Sequence, residues 1–347
     1  MSCHKKLTAL TARVLVRSRV PALVLFTALA LFTALAVSGS TLADTSHAPG
    51  AVRIQGHWSP HPLTAAFVMP GETLDFEAAS PSPGATVTYP AGILIRNSLS
   101  AWSWTAPEGP GHYDLILRDP HIAGETRIRV FVLVPYDGRD WLNGYRIGAY
   151  ARRPLDGKAA YRVPRGLVEV TPENENLLVS PHFRLGEFLC KQTADYPKYL
   201  ALQTPLLLEL ETLHAEVNRD PNRPAHLHVM SGYRTPHYNR AIGNTTTYSR
   251  HLYGDAADVF VDTDGDQWMD DLTGDGQVDA ADAGVLFKLM DGRETGFAKG
   301  GLGVYGPKSH RGPFIHVDTR GSHARWADAR GRYWLNSYER SRVADEE

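Results

Sequence analysis

Three residues in separate segments of the chain, His251, Asp258 and His316, have the side chains of a metal site. Asp258 lies in the apolar run AADVFV and His316 in the alternating run FIHVD, and both runs predict buried strands. A carboxylate in a buried strand needs a cation or a close donor. Gly254 lets the chain turn between His251 and Asp258, so that the two side chains can meet. Two imidazoles and one carboxylate, with a fourth position open to water, are typical of a catalytic zinc site.

Two catalytic partners of such a site are predicted from nearby residues. A zinc hydrolase needs a donor for the developing oxyanion and a base for the proton of water. Arg234, in the run SGYR, is predicted as the donor, because a guanidinium pairs with carboxylate and carbonyl oxygens. The base has two candidates, Asp318, on the same strand face as His316, and His310, in a loop. Asp318 is preferred, and its other open role is to orient a ligand histidine.

The segments around these residues resemble the M15 family of zinc peptidases, in particular its D-Ala-D-Ala carboxypeptidase-like branch. They are FRLGEFLCK, SGYR, Asn239, SRHLYGDAAD, GGLGVYG and GPFIHVDTRG, within roughly residues 180 to 330. The resemblance implies the fold shared by these peptidases and the hedgehog signalling domain, and bacterial cell-wall peptides as substrate. It also implies that Arg234 lies near the substrate carbonyl or carboxylate. The chain departs from the family at Pro313 and Phe314, where several relatives carry a histidine or glutamate.

An acidic insertion, residues 262–290, separates the Asp258 strand from the His316 strand. Eight aspartates lie between residues 262 and 282, and their repulsion opposes a compact fold unless a cation binds. The run DLTGDGQVDAAD resembles a dockerin-type calcium loop with Gly276 at its sixth position, followed by an apolar exit helix. A weaker, overlapping loop begins at Asp262, and a solvated acidic loop is the alternative. The predicted ligands of a structural calcium ion are Asp271, Thr273, Asp275, Gln277, Asp279 and Asp282.

Composition and the first residues indicate a globular, exported protein. The chain has 36 basic and 38 acidic residues, a net charge of −2, and is 43% hydrophobic, which indicates neither a nucleic-acid partner nor disorder. Residues 1–43 carry a basic segment, an apolar run and small residues, which predicts a signal peptide or, alternatively, an uncleaved membrane anchor. Both place the folded part outside the cytoplasm, in the periplasm or secreted. Cys190 is predicted to be a core residue rather than a nucleophile.

The rest of the chain divides into a β part and a peptidase-like part. Residues 50–135 are short apolar runs separated by proline and glycine, which predicts an all-β, immunoglobulin-like sandwich with Trp102 and Trp104 in its core. Residues 136–179 are a connecting region. Residues 180–335 are the zinc peptidase domain, so the predicted fold class is α+β, a hedgehog/DD-peptidase-like domain preceded by the sandwich.

Two local predictions concern residues 196–230. The run from 196 to 218 predicts a largely helical segment that begins near Thr204, with Thr204 as cap and Pro205 in the first turn. His226 and His228 alternate on a strand and are interpreted as structural histidines, because the zinc set is complete without them.

The predicted function is an exported zinc metallopeptidase that hydrolyses peptidoglycan stem peptides next to D-amino acids. Carboxypeptidase and endopeptidase actions both remain open, because loop shapes decide between them. The alternative is a wall-binding or signalling module that retains zinc without catalysis, favoured by the missing upstream base. A peptidase for peptides outside the wall is a third, weaker reading.

Overall fold

The computed structural model of the chain describes residues 48–291 and 299–345. The predicted leader, residues 1–43, lies outside these ranges. Within them the chain is mixed α/β, with mostly strands and four α-helices. None of the described helices is long and apolar enough to cross a membrane.

Residues 52–132 form two β-sheets that share one hydrophobic core. Alternation along the strands turns Leu74 and Phe76 inward, and Trp102 and Trp104 join them with 2% and 0% of their surface exposed. The strand orders are β2-β1-β4-β7-β6 and β3-β9-β8-β5. The immunoglobulin-like assignment of these sheets stays a prediction. The strands are β1 (Val52–Ile54), β2 (His57–Ser59), β3 (Leu63–Val68), β4 (Thr73–Ala78), β5 (Thr86–Thr88), β6 (Ile93–Arg96), β7 (Ala101–Thr105), β8 (Gly111–Arg118) and β9 (Thr126–Val132).

Short strands connect these sheets to the C-terminal half. β10, β13 and β14 form a three-stranded antiparallel sheet, and β11 pairs with β12. Because β14 occupies residues that the sequence predicts to be helical, that predicted helix is wrong before residue 204. The strands are β10 (Val134–Pro135), β11 (Trp141–Leu142), β12 (Tyr145–Arg146), β13 (Gly166–Val170) and β14 (Lys198–Leu200).

The main-chain polar groups of Ala65, in β3, join the N-terminal sheets to the C-terminal half. The Ala65 N–H donates to the Val179 carbonyl at 2.9 Å, and the Ala65 carbonyl accepts from the Thr204 hydroxyl at 2.8 Å. Thr204 is the first residue of helix α1 (Thr204–Val217), and Gln203 holds the cap position. The helix therefore begins where predicted, but the Thr204 hydroxyl bonds across to β3 instead of capping. The described residues belong to one compact unit.

A five-stranded sheet positions the predicted metal ligands. Its order is β15-β16-β18-β17-β19, antiparallel except for the parallel pair β17 and β19. Ile315 and Val317 share a core with Leu286 of helix α3, so His316, between them on β18, projects from the opposite face. The elements are β15 (Leu227–Ser231), α2 (Pro236–Ala241), β16 (Ala256–Val261), α3 (Ala280–Asp291), β17 (Gly301–Tyr305), β18 (Phe314–Asp318), β19 (Ala324–Ala327) and α4 (Arg332–Asp345).

Glu209 of α1 is a buried carboxyl without a hydrogen-bond or ion-pair partner in the part of the chain described. It is 9% exposed. Burial raises the pKa of Glu209 to about 9, with the charge of Asp318 adding to the rise and that of Arg325 opposing it. Because the unfolded carboxyl has a pKa near 4.5, the folded state binds the proton more tightly. Its contribution to stability is complete below pH 4.5 and is lost as the pH rises toward 9.

Glu209→Gln is therefore expected to stabilise the protein at pH 8 by about 1–3 kcal/mol, because the amide removes the cost of keeping a buried acid neutral. The difference from the parent protein should vanish near pH 4.5. Urea unfolding between pH 4.5 and 9 measures both. The exposed Glu173→Gln is the control and should leave the pH dependence unchanged. A Glu209→Gln variant that is less stable than the parent at pH 8 would contradict this assignment.

Candidate metal centre

The structure brings His251, Asp258 and His316 together in the protein interior. Nε2 of His251 lies 3.1 Å from Nδ1 of His316 and 3.2 Å from Oδ1 of Asp258, and the distance between the last two atoms is 2.9 Å. The three residues are 2%, 3% and 5% exposed. Asp258 and His316 are direct partners on the neighbouring strands β16 and β18. His251 reaches them from the 3-10 turn Arg250–Tyr253, which ends at Gly254. We call this group the triad.

Gly254 is required at the turn between His251 and β16. It has φ +73°, and a Cβ atom there would lie 2.3 Å from the backbone carbonyl carbon of Ala201. Any larger residue would have to move the backbone of both segments. The close approach of the turn to Ala201 therefore fixes the position of His251.

When both rings of the triad are neutral, three lone pairs converge on one point. Nδ1 of His251 donates to the Gly232 carbonyl at 2.7 Å, which leaves Nε2 as an acceptor in the neutral ring. Nε2 of His316 is 3.1 Å from Oδ2 of Asp318, which leaves Nδ1 as an acceptor in the same way. Oδ1 of Asp258 accepts only. This arrangement needs a cation at its centre.

The pKa shifts agree with that requirement. Burial lowers the pKa of His251, so its ring is neutral at physiological pH. Burial opposes protonation of His316 as well, but the hydrogen bonds of Asp258 and Asp318 outweigh it and raise the pKa of His316. The position between the two histidines thus favours positive charge.

The donor set fits zinc. Bonds of about 2.0 Å to nitrogen and oxygen in a tetrahedron place neighbouring ligand atoms about 3.3 Å apart. The distances of 2.9–3.2 Å in the triad require only a small expansion. Two imidazoles and one carboxylate leave a fourth position for water or substrate.

Arg234, the predicted oxyanion donor, lies beside the triad. Its Nη2 donates to Oδ2 of Asp258, the oxygen that does not face the histidines, and its Nε donates to the Ser231 hydroxyl at 2.9 Å. The side chain is 13% exposed. Nη1 has no hydrogen-bond partner among the described residues, so one edge of the guanidinium remains available to a substrate oxygen.

Asp318, the preferred base, has a position that does not suit that role. It is fully buried. Its carboxylate accepts hydrogen bonds from Nε and Nη2 of Arg320 at 2.5–3.0 Å and also bonds to His316. Burial raises the pKa of Asp318, but Arg320 and His316 outweigh it and hold the pKa well below its ordinary value. Such a carboxylate is a weak proton acceptor. The geometry instead favours the other role considered for Asp318, orientation of His316.

Residues 181–270 match the family model Peptidase M15. The match contains Arg234, His251 and Asp258, and ends before His316. It supports a peptidase of the M15 family in this part of the chain, and M15 peptidases are zinc-dependent. A comparison with curated proteins finds no significant match.

Asp318→Asn is expected to weaken zinc binding at the triad by about 10–100-fold, because the amide no longer holds the His316 tautomer. Zinc competition against a chromophoric chelator measures this, and kcat is measured at saturating zinc. A positioning residue changes zinc affinity first, whereas a general base changes kcat with the affinity unchanged. Asp140→Asn, in an exposed ion pair with Arg146, is the control and should alter neither.

A buried ion pair supports the segment that carries His251. Nε of Arg250 donates to Oδ1 of Asp255 at 3.0 Å, its Nη2 pairs with the other oxygen, and its Nη1 donates to the Ala160 carbonyl at 2.9 Å. The two side chains are 1% and 2% exposed. The guanidinium also lies over the Tyr161 ring, 4.4 Å from its centroid. The connecting region is thereby fastened to the turn next to the triad.

An aromatic wall beside His316 carries no signal in the sequence. Trp326 of β19 lies 5.2 Å from the His316 ring, between centroids, and covers Gly303, where a Cβ atom would be 2.6 Å from the indole. Its Nε1 donates to the Tyr305 hydroxyl at 2.9 Å. Burial raises the pKa of Tyr305, so its hydroxyl keeps its proton and is able to donate. Stacking of Tyr305 on Phe314, with centroids 4.6 Å apart, completes the wall.

The other residues considered for chemistry lie elsewhere or are inert. His310 is exposed and has no contact with the triad in the described ranges. His228 lies against Phe260, with ring centroids 4.8 Å apart, in keeping with a structural role. Cys190 is 4% exposed within the main core, and burial raises the pKa of its thiol, which makes it a poor nucleophile.

The acidic insertion adopts the predicted loop and helix, but the structure does not support calcium. Gly276 has φ +82° and α3 begins at residue 280, as the loop pattern predicts. Asp271 accepts two backbone N–H groups at 2.7 and 2.8 Å, and the fully buried Asp282 accepts three at 2.8–3.0 Å. Across the described chain, the four aspartates among the predicted ligands form no group of three with carboxylate oxygens within 4.8 Å of one another. The acidic residues of the insertion that do so are Asp262, Asp264 and Asp270, in the overlapping loop predicted to be weaker.

Proposed function

We propose that the triad is the catalytic centre of an exported zinc peptidase that hydrolyses peptidoglycan stem peptides at bonds next to D-amino acids. The convergence of three ligand atoms, 2.9–3.2 Å apart, on one buried point is the observation that carries the proposal. The M15 match over residues 181–270 supports the reaction class. Export rests on residues 1–43, which have the pattern of a signal peptide or an anchor.

Each residue of the site has a separate role in hydrolysis. A bound zinc ion would lower the pKa of a water molecule from about 16 toward 7 and polarise the scissile carbonyl. The Gly232 carbonyl and Asp318 hold the two imidazoles in the required tautomers. Arg234, fixed by Ser231 and Asp258, offers a preorganised cation to the carbonyl oxygen as negative charge develops there.

A cavity whose lining includes Lys191 has room for a short peptide. Its volume is about 750 Å³, within the range of roughly 300–1,000 Å³ for small-molecule sites. Lys191, on its lining, is close enough to Arg234 and Asp258 for their charges to affect its pKa, which burial lowers overall. Arg146 and Lys191, the two cations on this lining, suit the carboxylates of a stem peptide. Residues of the lining include Trp141, Arg146, Lys191, His237 and Tyr238.

Digestion of purified muropeptides by the zinc-loaded protein tests the proposal. Mass spectrometry of the products should show released D-alanine if the enzyme is a carboxypeptidase, and opened cross-links if it is an endopeptidase. A matched peptide with L-alanine at the scissile bond should remain intact. If the protein binds zinc at the triad and leaves all these substrates intact, the alternative of a wall-binding or signalling module is favoured. One observation favours that alternative: in the described ranges, no unengaged carboxylate bonds to the triad.

Arg234→Lys is expected to lower kcat/KM for muropeptides by about 10²–10³-fold while zinc binding is retained, because an ammonium group cannot form the paired bonds of the guanidinium. Steady-state kinetics and zinc content measure the two effects. Arg240→Lys is the matched control. Arg240 lies on α2, and among the described residues its side chain donates only to the Ala149 carbonyl. An unchanged kcat/KM in Arg234→Lys would remove Arg234 from the catalytic machinery.

A further inference from the structure

A second group of possible metal ligands lies on α1 and the loop that precedes β14. It consists of His182, Glu211 and His214, which we call the α1 histidine cluster. One ligand atom from each residue lies within 4.8 Å of the others. Glu211 and His214 are three positions apart on α1 and so lie on one face of the helix. No hydrogen bond or ring contact joins the cluster to the triad in the part of the chain described.

Glu211 is a buried carboxyl group whose basic partner among the described residues is the His182 imidazole. Its side chain is 1% exposed. One oxygen accepts the backbone N–H of His182 at 2.9 Å, and the other lies 2.7 Å from Nδ1 of the same residue. No lysine or arginine forms an ion pair with Glu211 among the described residues. Burial of a carboxylate is costly unless a cation or enough donors compensate it.

The two histidines of the cluster lie face to face. The rings of His182 and His214 are stacked, with centroids 3.7 Å apart and an angle of 19° between planes. A neutral imidazole offers a lone pair to a metal ion. The His182 side chain is 50% exposed, which gives an ion access from solvent.

Two imidazoles and one carboxylate are a donor set that zinc accepts, with a fourth position left for water or another ligand.

We propose that His182, Glu211 and His214 form a second transition-metal site, of the zinc class, that fastens the loop containing His182 to helix α1. Nitrogen and carboxylate donors select zinc and its neighbours over calcium or magnesium. Bonds of about 2.0 Å require His182 Nδ1 and the Glu211 oxygen to separate from 2.7 Å to about 3.3 Å, a small adjustment for a half-exposed ring.

Zinc binding by the full-length, metal-free chain tests this site when the triad is disabled by His316→Ala. Competition with a chromophoric chelator should show one zinc ion bound per His316→Ala chain. Adding His182→Gln or Glu211→Gln should weaken that binding by about 100-fold or more, since one protein ligand of three is lost. Adding His112→Gln, an exposed histidine of β8, is the control and should change nothing. Zinc should also raise the melting temperature of His316→Ala but not of His316→Ala/His182→Gln.

Each outcome separates this site from the triad. If His316→Ala binds no zinc below about 10 µM, or if both cluster substitutions leave its affinity unchanged, the second site does not exist. The proposed peptidase is unaffected by that result. Conversely, one zinc ion that His182→Gln removes and His316→Ala retains supports the cluster and contradicts the triad. Circular dichroism of each metal-free variant identifies any loss caused by unfolding, and the half-exposed His182→Gln is the variant expected to fold normally.

Discussion

Replacing His316 with alanine is expected to reduce muropeptide hydrolysis by at least about 10³-fold, because the metal ion supplies several kcal/mol of transition-state stabilisation. The variant should bind one zinc ion fewer per chain than the parent. Its metal-free form should keep its fold, since the substitution removes one of three ligand atoms that crowd one point within 3.2 Å of each other. Steady-state kinetics, zinc content and thermal unfolding of the metal-free proteins measure these three results.

His228→Ala is the matched control for that substitution. His228 lies on β15 of the same sheet and contacts Phe260 rather than the triad. It should retain both zinc and activity. A His316→Ala protein that keeps its full zinc content and activity, or a His228→Ala protein that loses them, would show that the metal is held elsewhere.

Asp255→Ala is expected to destabilise the protein by about 3–5 kcal/mol, the usual cost of leaving one member of a buried ion pair without its partner. The Arg250 guanidinium would then keep the Ala160 carbonyl and the Tyr161 ring as neighbours but no anion. For a chain of this size we expect the melting temperature to fall by about 10 °C. Zinc affinity at the triad should fall as well, since Arg250 precedes His251 in the same turn.

Two controls isolate the cause of that loss. Glu77→Ala removes the partner of Arg53 in an ion pair whose side chains are 33% and 50% exposed, and should cost no more than about 1 kcal/mol. The double variant Arg250→Met/Asp255→Ala should recover part of the stability, because it leaves no unpaired charge. A single Asp255→Ala variant as stable as Glu77→Ala would show that the ion pair contributes little.

The sequence predicts the triad because its signals are local. The types of His251, Asp258 and His316 limit the chemistry, and the short apolar runs around Asp258 and His316 predict strands. The role of Asp318 cannot be predicted from neighbouring residue types alone. It depends on which ring nitrogen of His316 bonds to the carboxylate and on the contact with the Arg320 guanidinium. Side-chain conformations determine both contacts.

Long-range packing accounts for the remaining differences. Nothing in the run ARWA indicates that Trp326 reaches over Gly303 toward His316, because β19 joins the sheet through a parallel pair with β17. The start of α1 is predicted from Pro205, yet the partner of the Thr204 hydroxyl is a carbonyl far away in the chain. In the acidic insertion, the turn at Gly276 forms as the spacing predicts, but the predicted calcium ion is not supported, since backbone N–H groups satisfy Asp271 and Asp282.

The use of both main-chain polar groups of Ala65 has a practical consequence for dissecting the molecule. An excised fragment that starts after β9 would expose the Val179 carbonyl and the Thr204 hydroxyl, together with the apolar surface that Ala65 and Phe131 cover. Such a fragment would be prone to aggregate, and its lack of activity would say nothing about the catalytic residues. The C-terminal half needs the N-terminal sheets to cover its apolar surface. Kinetic measurements on this protein therefore require a chain that retains these sheets.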